Sequence, residues 1–147
     1  MRRLLFSMIL MATLSGAAQA EQVTLDKLEA FLISSRDGKL SDDLITTKPA
    51  LWNTVIASDG ARADDVLLVA HFKTIAQAKK PDRPSIKVTD KDGKQVYALK
   101  NFYLTFVGEA DSSKAFLLRD VTCQHLKIVI TSGKHKWNNE IPFECGE

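Results

Sequence analysis

Cysteine is scarce in this chain: only Cys123 and Cys145 are present, and without a second cysteine pair a cysteine-rich metal site lacks its ligands. Catalytic signatures are missing as well. There is no GxSxG, no HExxH, no P-loop and no dinucleotide fingerprint. No internal repeat, low-complexity run or long linker divides the chain, and no segment after the N-terminus approaches the roughly 20 apolar residues that a membrane span needs. An excess of basic charge is also absent once the N-terminus is considered. The chain has 20 Lys+Arg against 18 Asp+Glu, and loss of Arg2 and Arg3 with a leader would leave the two signs equal. That balance gives no support for nucleic-acid binding. The short basic clusters Lys79-Lys80 and Lys134-His135-Lys136 sit beside turn residues and read as solvated loops.

What is present begins with a secretory leader. MRRLLFSMILMATLSGAAQA joins two arginines, an apolar run from Leu4 to Leu14 and a small-residue Ala18-Gln19-Ala20 site, the layout of a cleavable signal peptide over residues 1–20. Cleavage is expected between Ala20 and Glu21. No cysteine follows the apolar run, which argues against a lipid anchor, and the expected location is the periplasm of a Gram-negative bacterium. The remainder, residues 21–147, has the size of one domain with one core.

Two cysteines in an oxidising compartment point to a Cys123 to Cys145 disulfide. A metal role would want further ligands at matching spacing, and a nucleophilic role would want a free thiolate beside a base. Such a bridge would be worth about 3 kcal/mol on the chain-entropy model and would clasp the C-terminal strand. One conflict stands against the simplest hairpin. A turn near Ser132-Gly133-Lys134 that sets the cysteines opposite each other also sets Lys127 against Ile141, so a bulge, a shifted register or strands in different sheets is required.

From Asp65 onward the pattern predicts strands. VLLVAHF at 66–72 is apolar on both alternating sets and reads as a central strand; AKKPDRP at 78–84 reads as a loop. In SIKVTDKDGKQVYAL, residues 85–99, a two-residue Asp92-Gly93 loop pairs Val88 with Tyr97 and Ile86 with Leu99. Phe102, Leu104 and Phe106 alternate with Tyr103, Thr105 and Val107 as a further strand, GEADSSK connects, and Ala115 to Leu118 returns. HLKIVIT at 125–131 and EIPFEC at 140–145 complete an antiparallel β-sandwich of about seven strands, with Pro142 at an edge or bulge. Before Asp65 one or two short helices are expected. TLDKLEAFLISS at 24–35 places Leu25, Leu28, Phe31 and Leu32 at helical spacing, although a strand also fits, and KPALWNTVIAS at 48–58 opens with Pro49, which suits a first helical turn.

Candidate functional residues are few. The acid pairs Asp42-Asp43 and Asp64-Asp65 read as solvated loop charges, because adjacent residues point apart and glycosidase chemistry needs two carboxylates converging on one cleft. His71 on an apolar strand reads as a packed, hydrogen-bonded histidine. His125 and His135 would form a two-histidine copper or zinc site if their segments paired, although no third ligand is identified. Trp137 in KHKWNNE is either an interface anchor beside Lys134 and Lys136 or a ring folded over the end of the sandwich. Trp52 reads as core.

LWNTVIASDGARADDVLLVAHF, RDVTCQHLKI and IPFECGE together resemble the marker segments of a group of small exported bacterial proteins with LWNxxI, DxxC and terminal FxCGE elements. The resemblance covers about the last two thirds of the mature chain. It implies a periplasmic location and the Cys123 to Cys145 bridge, and it implies no reaction. The loop after LWNTVI holds only Gly60, where the group's pattern is richer in glycine, so a ligand role for that loop does not carry over. The expectation is a non-enzymatic protein-binding module without a cofactor, of the inhibitor or immunity-protein kind, partnered by another envelope protein. The alternatives are a metal-binding protein using His71, His125 and His135, and a cell-wall hydrolase.

Overall fold

The structure, a computed structural model, describes residues 23–49, 51–52, 63–74, 82–106, 111–121 and 124–144. The chain runs through β1 (Val23–Ile33), α1 (Leu44–Thr47), β2 (Leu51–Trp52), β3 (Asp65–Thr74), β4 (Ser85–Thr89), β5 (Gln95–Leu99), β6 (Asp111–Leu118), β7 (Leu126–Ser132), β8 (His135–Ile141) and β9 (Phe143–Glu144). Seven of these strands form two antiparallel sheets, ordered β1-β3-β6 and β5-β4-β7-β8, while β2 and β9 make a short parallel pair. The chain crosses between the two sheets after β3, β5 and β6, as the chain of a β-sandwich does. Among the described residues no helix is long and apolar enough to cross a membrane.

Alternation decides which side chains enter the core. Val66, Leu68, Ala70 and Phe72 of β3 are buried between Leu28, Ala30 and Leu32 of β1 and Phe116 and Leu118 of β6. Ile86 and Val88 of β4 and Leu126, Ile128 and Ile130 of β7 supply the opposing layer. Aromatic edge-to-face contacts join the layers: Phe116 lies 5.2 Å from Phe102 and 6.1 Å from Tyr97, centroid to centroid. Such pairs add specificity beyond the area they bury.

Several expectations are corrected here. Of the two readings of residues 24–35 the strand holds, as β1 over Val23–Ile33, and the helix does not. The register shifts between Leu25 and Lys27, and this bulge changes the phase of the alternation, so Leu25 and Leu28 share a face at a spacing of three that imitates a helical turn. The segment opening at Pro49 is not helical at its start. The only helix among the described residues is α1, which precedes that proline, capped by Asp43 and closed by Lys48 in the left-handed region at φ 45°. Pro49 therefore follows a helix end, where a residue without an N–H is well placed; residues 53–58 lie outside the described residues. Residues 102–106 belong to no strand and pair with none of the described strands, although Phe102 is buried and Tyr103 is exposed. Strand β6 begins at Asp111, so Asp111 to Lys114 belong to a sheet rather than to the expected connection.

The two hairpins match in partner more closely than in turn. Ile86 faces Leu99 and Val88 faces Tyr97 as expected, but the turn is one residue longer. The Gly93 N–H donates to the Asp90 carbonyl, Asp90 and Lys94 close the loop, and a register shift beyond Val88 restores the pairing. Gly93 at φ 82° supplies the left-handed residue of this three-residue turn. In the second hairpin Leu126 faces Ile141 and Ile130 faces Trp137. The two-residue turn Gly133-Lys134 shifts the register by one from the cysteine-aligned pairing, and apolar side chains then meet on the inner face. The strand β8 also starts at His135, earlier than the expected residue 140. The cysteines themselves, Cys123 and Cys145, lie outside the described residues, as do residues 1–20.

Candidate functional site

The described residues carry two polar surfaces of different chemistry, one on the outer face of each sheet. On the three-stranded sheet, register places Lys27, His71 and Ser113 in one row across β1, β3 and β6, with Glu29 one pair along on β1. His71 is held from both sides. Its Nδ1 lies 2.8 Å from the Ser113 hydroxyl and its Nε2 lies 2.8 Å from Glu29 Oε2. An ionised carboxylate can only accept, so Nε2 carries the hydrogen and Nδ1 accepts from Ser113 in the neutral ring. The Glu29 carboxyl is held below its usual range by the hydrogen bond from Lys27 and then by that from His71, against the effect of desolvation. Lys73, two residues from His71 on the same face, pairs with Asp26 at 2.9 Å, and this raises its pKa. Asp26, Lys27, Glu29, His71, Lys73 and Ser113 line a shallow recess of about 400 Å³. The connectivity is that of a hydroxyl, a base and an orienting acid.

The outer face of the four-stranded sheet is different. Lys87 on β4, Lys127 on β7 and Lys136 on β8 all point outward and are exposed, and Lys100 follows β5 on the same recess as Lys87 and Lys136. Among the described residues none of these four lysines has an ion-pair partner, whereas Lys27 and Lys73 on the other sheet are both paired. Between them lie uncharged groups, Ser85, Thr131, Gln95 and Asn138. Lys87 and Lys127 are diagonal neighbours across β4 and β7, a spacing of about 7–8 Å at which like charges repel. Among the described residues Glu140 is the acid on this face; it stands directly opposite Lys127 in the β7–β8 register, beyond ion-pair distance, and is approached by His125 Nε2 at 3.4 Å.

The expected site residues are distributed as follows. Trp137 sits opposite Ile130 on the inner face of the edge strand β8, half-buried against the core and stacked on His135 with centroids 5.8 Å apart. Lys134 occupies the turn and Lys136 points outward, so the tryptophan and the lysines flank one strand without sharing a face. The three histidines do not converge. His71 is on the other sheet, and His125 and His135 stand at opposite ends of the β7–β8 hairpin. Among the described residues no group of three or more His, Cys, Asp and Glu is close enough to hold a metal ion. Of the acid pairs, Asp43 and Asp65 are not free loop charges. Asp43 Oδ1 accepts from the Ala30 and Ile45 N–H groups, and Asp65 accepts from the Asp120 N–H.

Sequence reasoning missed Glu29 and Ser113, each 42 positions from His71. Nothing local marks them, because one fell in an expected helix and the other in an expected loop. The lysine face had a signal: IKV, LKI and HKW each place a lysine where the strand's outward set falls. No protein-family model, curated protein or solved structure matches this chain closely enough to be called similar.

Proposed function

We propose that this chain is an exported, periplasmic protein-binding module, of the inhibitor or immunity-protein kind, whose partner presents an acidic surface to the outer face of the four-stranded sheet. The observation that carries this reading is the set of four unpaired lysines on that face. The face carries a net positive charge, with Glu140 opposite Lys127 as its acid among the described residues, and such a field attracts an acidic partner and steers its association. Size sets a further requirement. Strands about 4.8 Å apart and residues about 3.3 Å apart give a four-stranded face of roughly 400 Å², about half of what one partner in a standard interface buries. The β7–β8 hairpin, with Lys134, His135 and the exposed part of Trp137 along an open edge, is the adjoining surface that would extend it.

Crosslinking of the native-level protein in the envelope of its host, followed by capture and mass spectrometry, tests the reading. One stoichiometric partner is expected, and affinity for it should fall at least tenfold in Lys87→Glu/Lys127→Glu/Lys136→Glu and weaken with added salt. A partner whose affinity ignores both changes would show that another surface binds, and the absence of any stoichiometric partner would overturn the module itself.

A further inference from the structure

We propose that Ser113 is an activated nucleophile that takes an acyl group from activated esters of small carboxylic acids, with His71 as its general base. This site is independent of the lysine face, because it lies on the other sheet. Three features carry it. The hydroxyl and Nδ1 are already at hydrogen-bond distance, 2.8 Å, the geometry that proton removal needs. The ring cannot turn freely, since Nε2 is held by Glu29 at 2.8 Å and β3 is paired on both sides. The hydroxyl is also reachable, because Ser113 is exposed on the edge strand β6 and lines an open recess.

The step balances within these groups and the ester. A bond forms between Ser113 Oγ and the carbonyl carbon as the hydroxyl proton passes to His71 Nδ1, and the bond to the leaving oxygen then breaks as that oxygen takes the proton. Water attacking the acyl-Ser113 ester, with His71 again as base, releases the acid and restores the hydroxyl. Glu29 is a positioning residue, holding Nε2–H and stabilising the imidazolium that forms in between. The groups facing His71 are Asp26, Lys27 and Glu29 from β1, Lys73 from β3, and Asp111 and Ser113 from β6. Lys27 and Lys73 are the cations nearest a developing oxyanion in this set, but the recess is open to water, where such attraction is weak. The expected electrophiles are therefore those with good leaving groups, such as aryl esters and fluorophosphonates; amides are not expected to react.

Labelling of the purified protein by a tagged fluorophosphonate, followed by intact mass and peptide mapping between pH 5 and 9, tests this directly. One adduct on Ser113 is expected, absent from Ser113→Ala and unchanged in rate in Ser112→Ala. His71→Asn should label about 100-fold more slowly, in line with the usual worth of a general base, and added imidazole should restore part of the rate. Glu29→Gln, checked for native circular dichroism, should move the midpoint of the rate against pH. No adduct in the wild type beyond that of Ser113→Ala, an adduct on Ser112, or a His71→Asn variant that labels at the wild-type rate would each overturn the proposal.

Discussion

Replacing Asp43 with alanine is expected to cost about 2–4 kcal/mol, because one carboxylate holds together two elements that no strand ladder joins. Among the described strands β1 is an edge that pairs with β3; on its other side it meets residues 40 and 41 through the Ile33–Leu40 bridge and the Ser41 N–H donated to the Leu32 carbonyl, and its remaining N–H groups need other acceptors. Asp43 Oδ1 takes the Ala30 N–H at 2.9 Å, and Ser41 Oγ takes the Leu32 N–H at 3.0 Å. The side chains of Ser41 and Asp43 thereby close an edge that would otherwise be open to another chain. The same carboxylate caps α1 through the Ile45 N–H at 3.1 Å and accepts from the Thr46 hydroxyl. Loss of an N-cap costs about 1 kcal/mol, and Ala30 is fully buried, so its orphaned N–H adds about 1–3 kcal/mol. For a domain of this size that is a fall in Tm of roughly 10 °C.

The acid limb of the stability curve should change with it. Partial burial raises the Asp43 pKa, but the hydrogen bonds from Thr46, Ala30 and Ile45 outweigh that effect and leave it below the ordinary aspartate value. A carboxyl with a depressed folded pKa contributes stability above its unfolded pKa and loses that contribution as pH falls through the folded value. Urea denaturation of wild type, Asp43→Ala and Asp43→Asn at pH 7 and pH 3 measures both effects. Asp43→Asn keeps an acceptor oxygen and should cost less at pH 7, with a shallower loss toward pH 3. A cost below about 1 kcal/mol for Asp43→Ala at pH 7, or equal costs for alanine and asparagine, would refute the account.

Further outcomes follow from the packing and the turns. Phe116→Ala removes the ring that touches both Phe102 and Tyr97, and a loss of about 3–5 kcal/mol in urea midpoint analysis is expected. Gly133→Ala should destabilise more than Gly93→Ala. Both glycines have positive φ, but a Cβ on Gly133 would also push the end of the Asp82 side chain aside, a small added cost, whereas one on Gly93 meets nothing. Combining Gly133→Ala with Asp82→Ala should close most of that gap, and a double-mutant cycle with no coupling would sink the explanation.

The main β architecture was legible before any coordinates, because strand signals are local. The apolar run at 66–72, alternation in 126–131 and turn chemistry at Asp92-Gly93 named central members of both sheets and the cross-strand partners of β4 and β5. The expectation of a leader and the cysteine count likewise rest on the one-dimensional chain. What the sequence left open were features that depend on phase and on distance along the chain. A single bulge after Leu25 turned a strand into an apparent helix, and a one-residue change at Gly133-Lys134 decided whether Ile141 or Glu140 met the inner face. The partners of His71 arrived from 42 residues away on either side, and hydrogen-bond partners that are distant in sequence leave no mark in local pattern. The two polar faces share this origin. The outward charges on each strand carry no consequence alone, and only the strand order β1-β3-β6 against β5-β4-β7-β8 sets the paired charges on one sheet and lysines without an ion pair on the other, since strand order and register determine which side chains become neighbours.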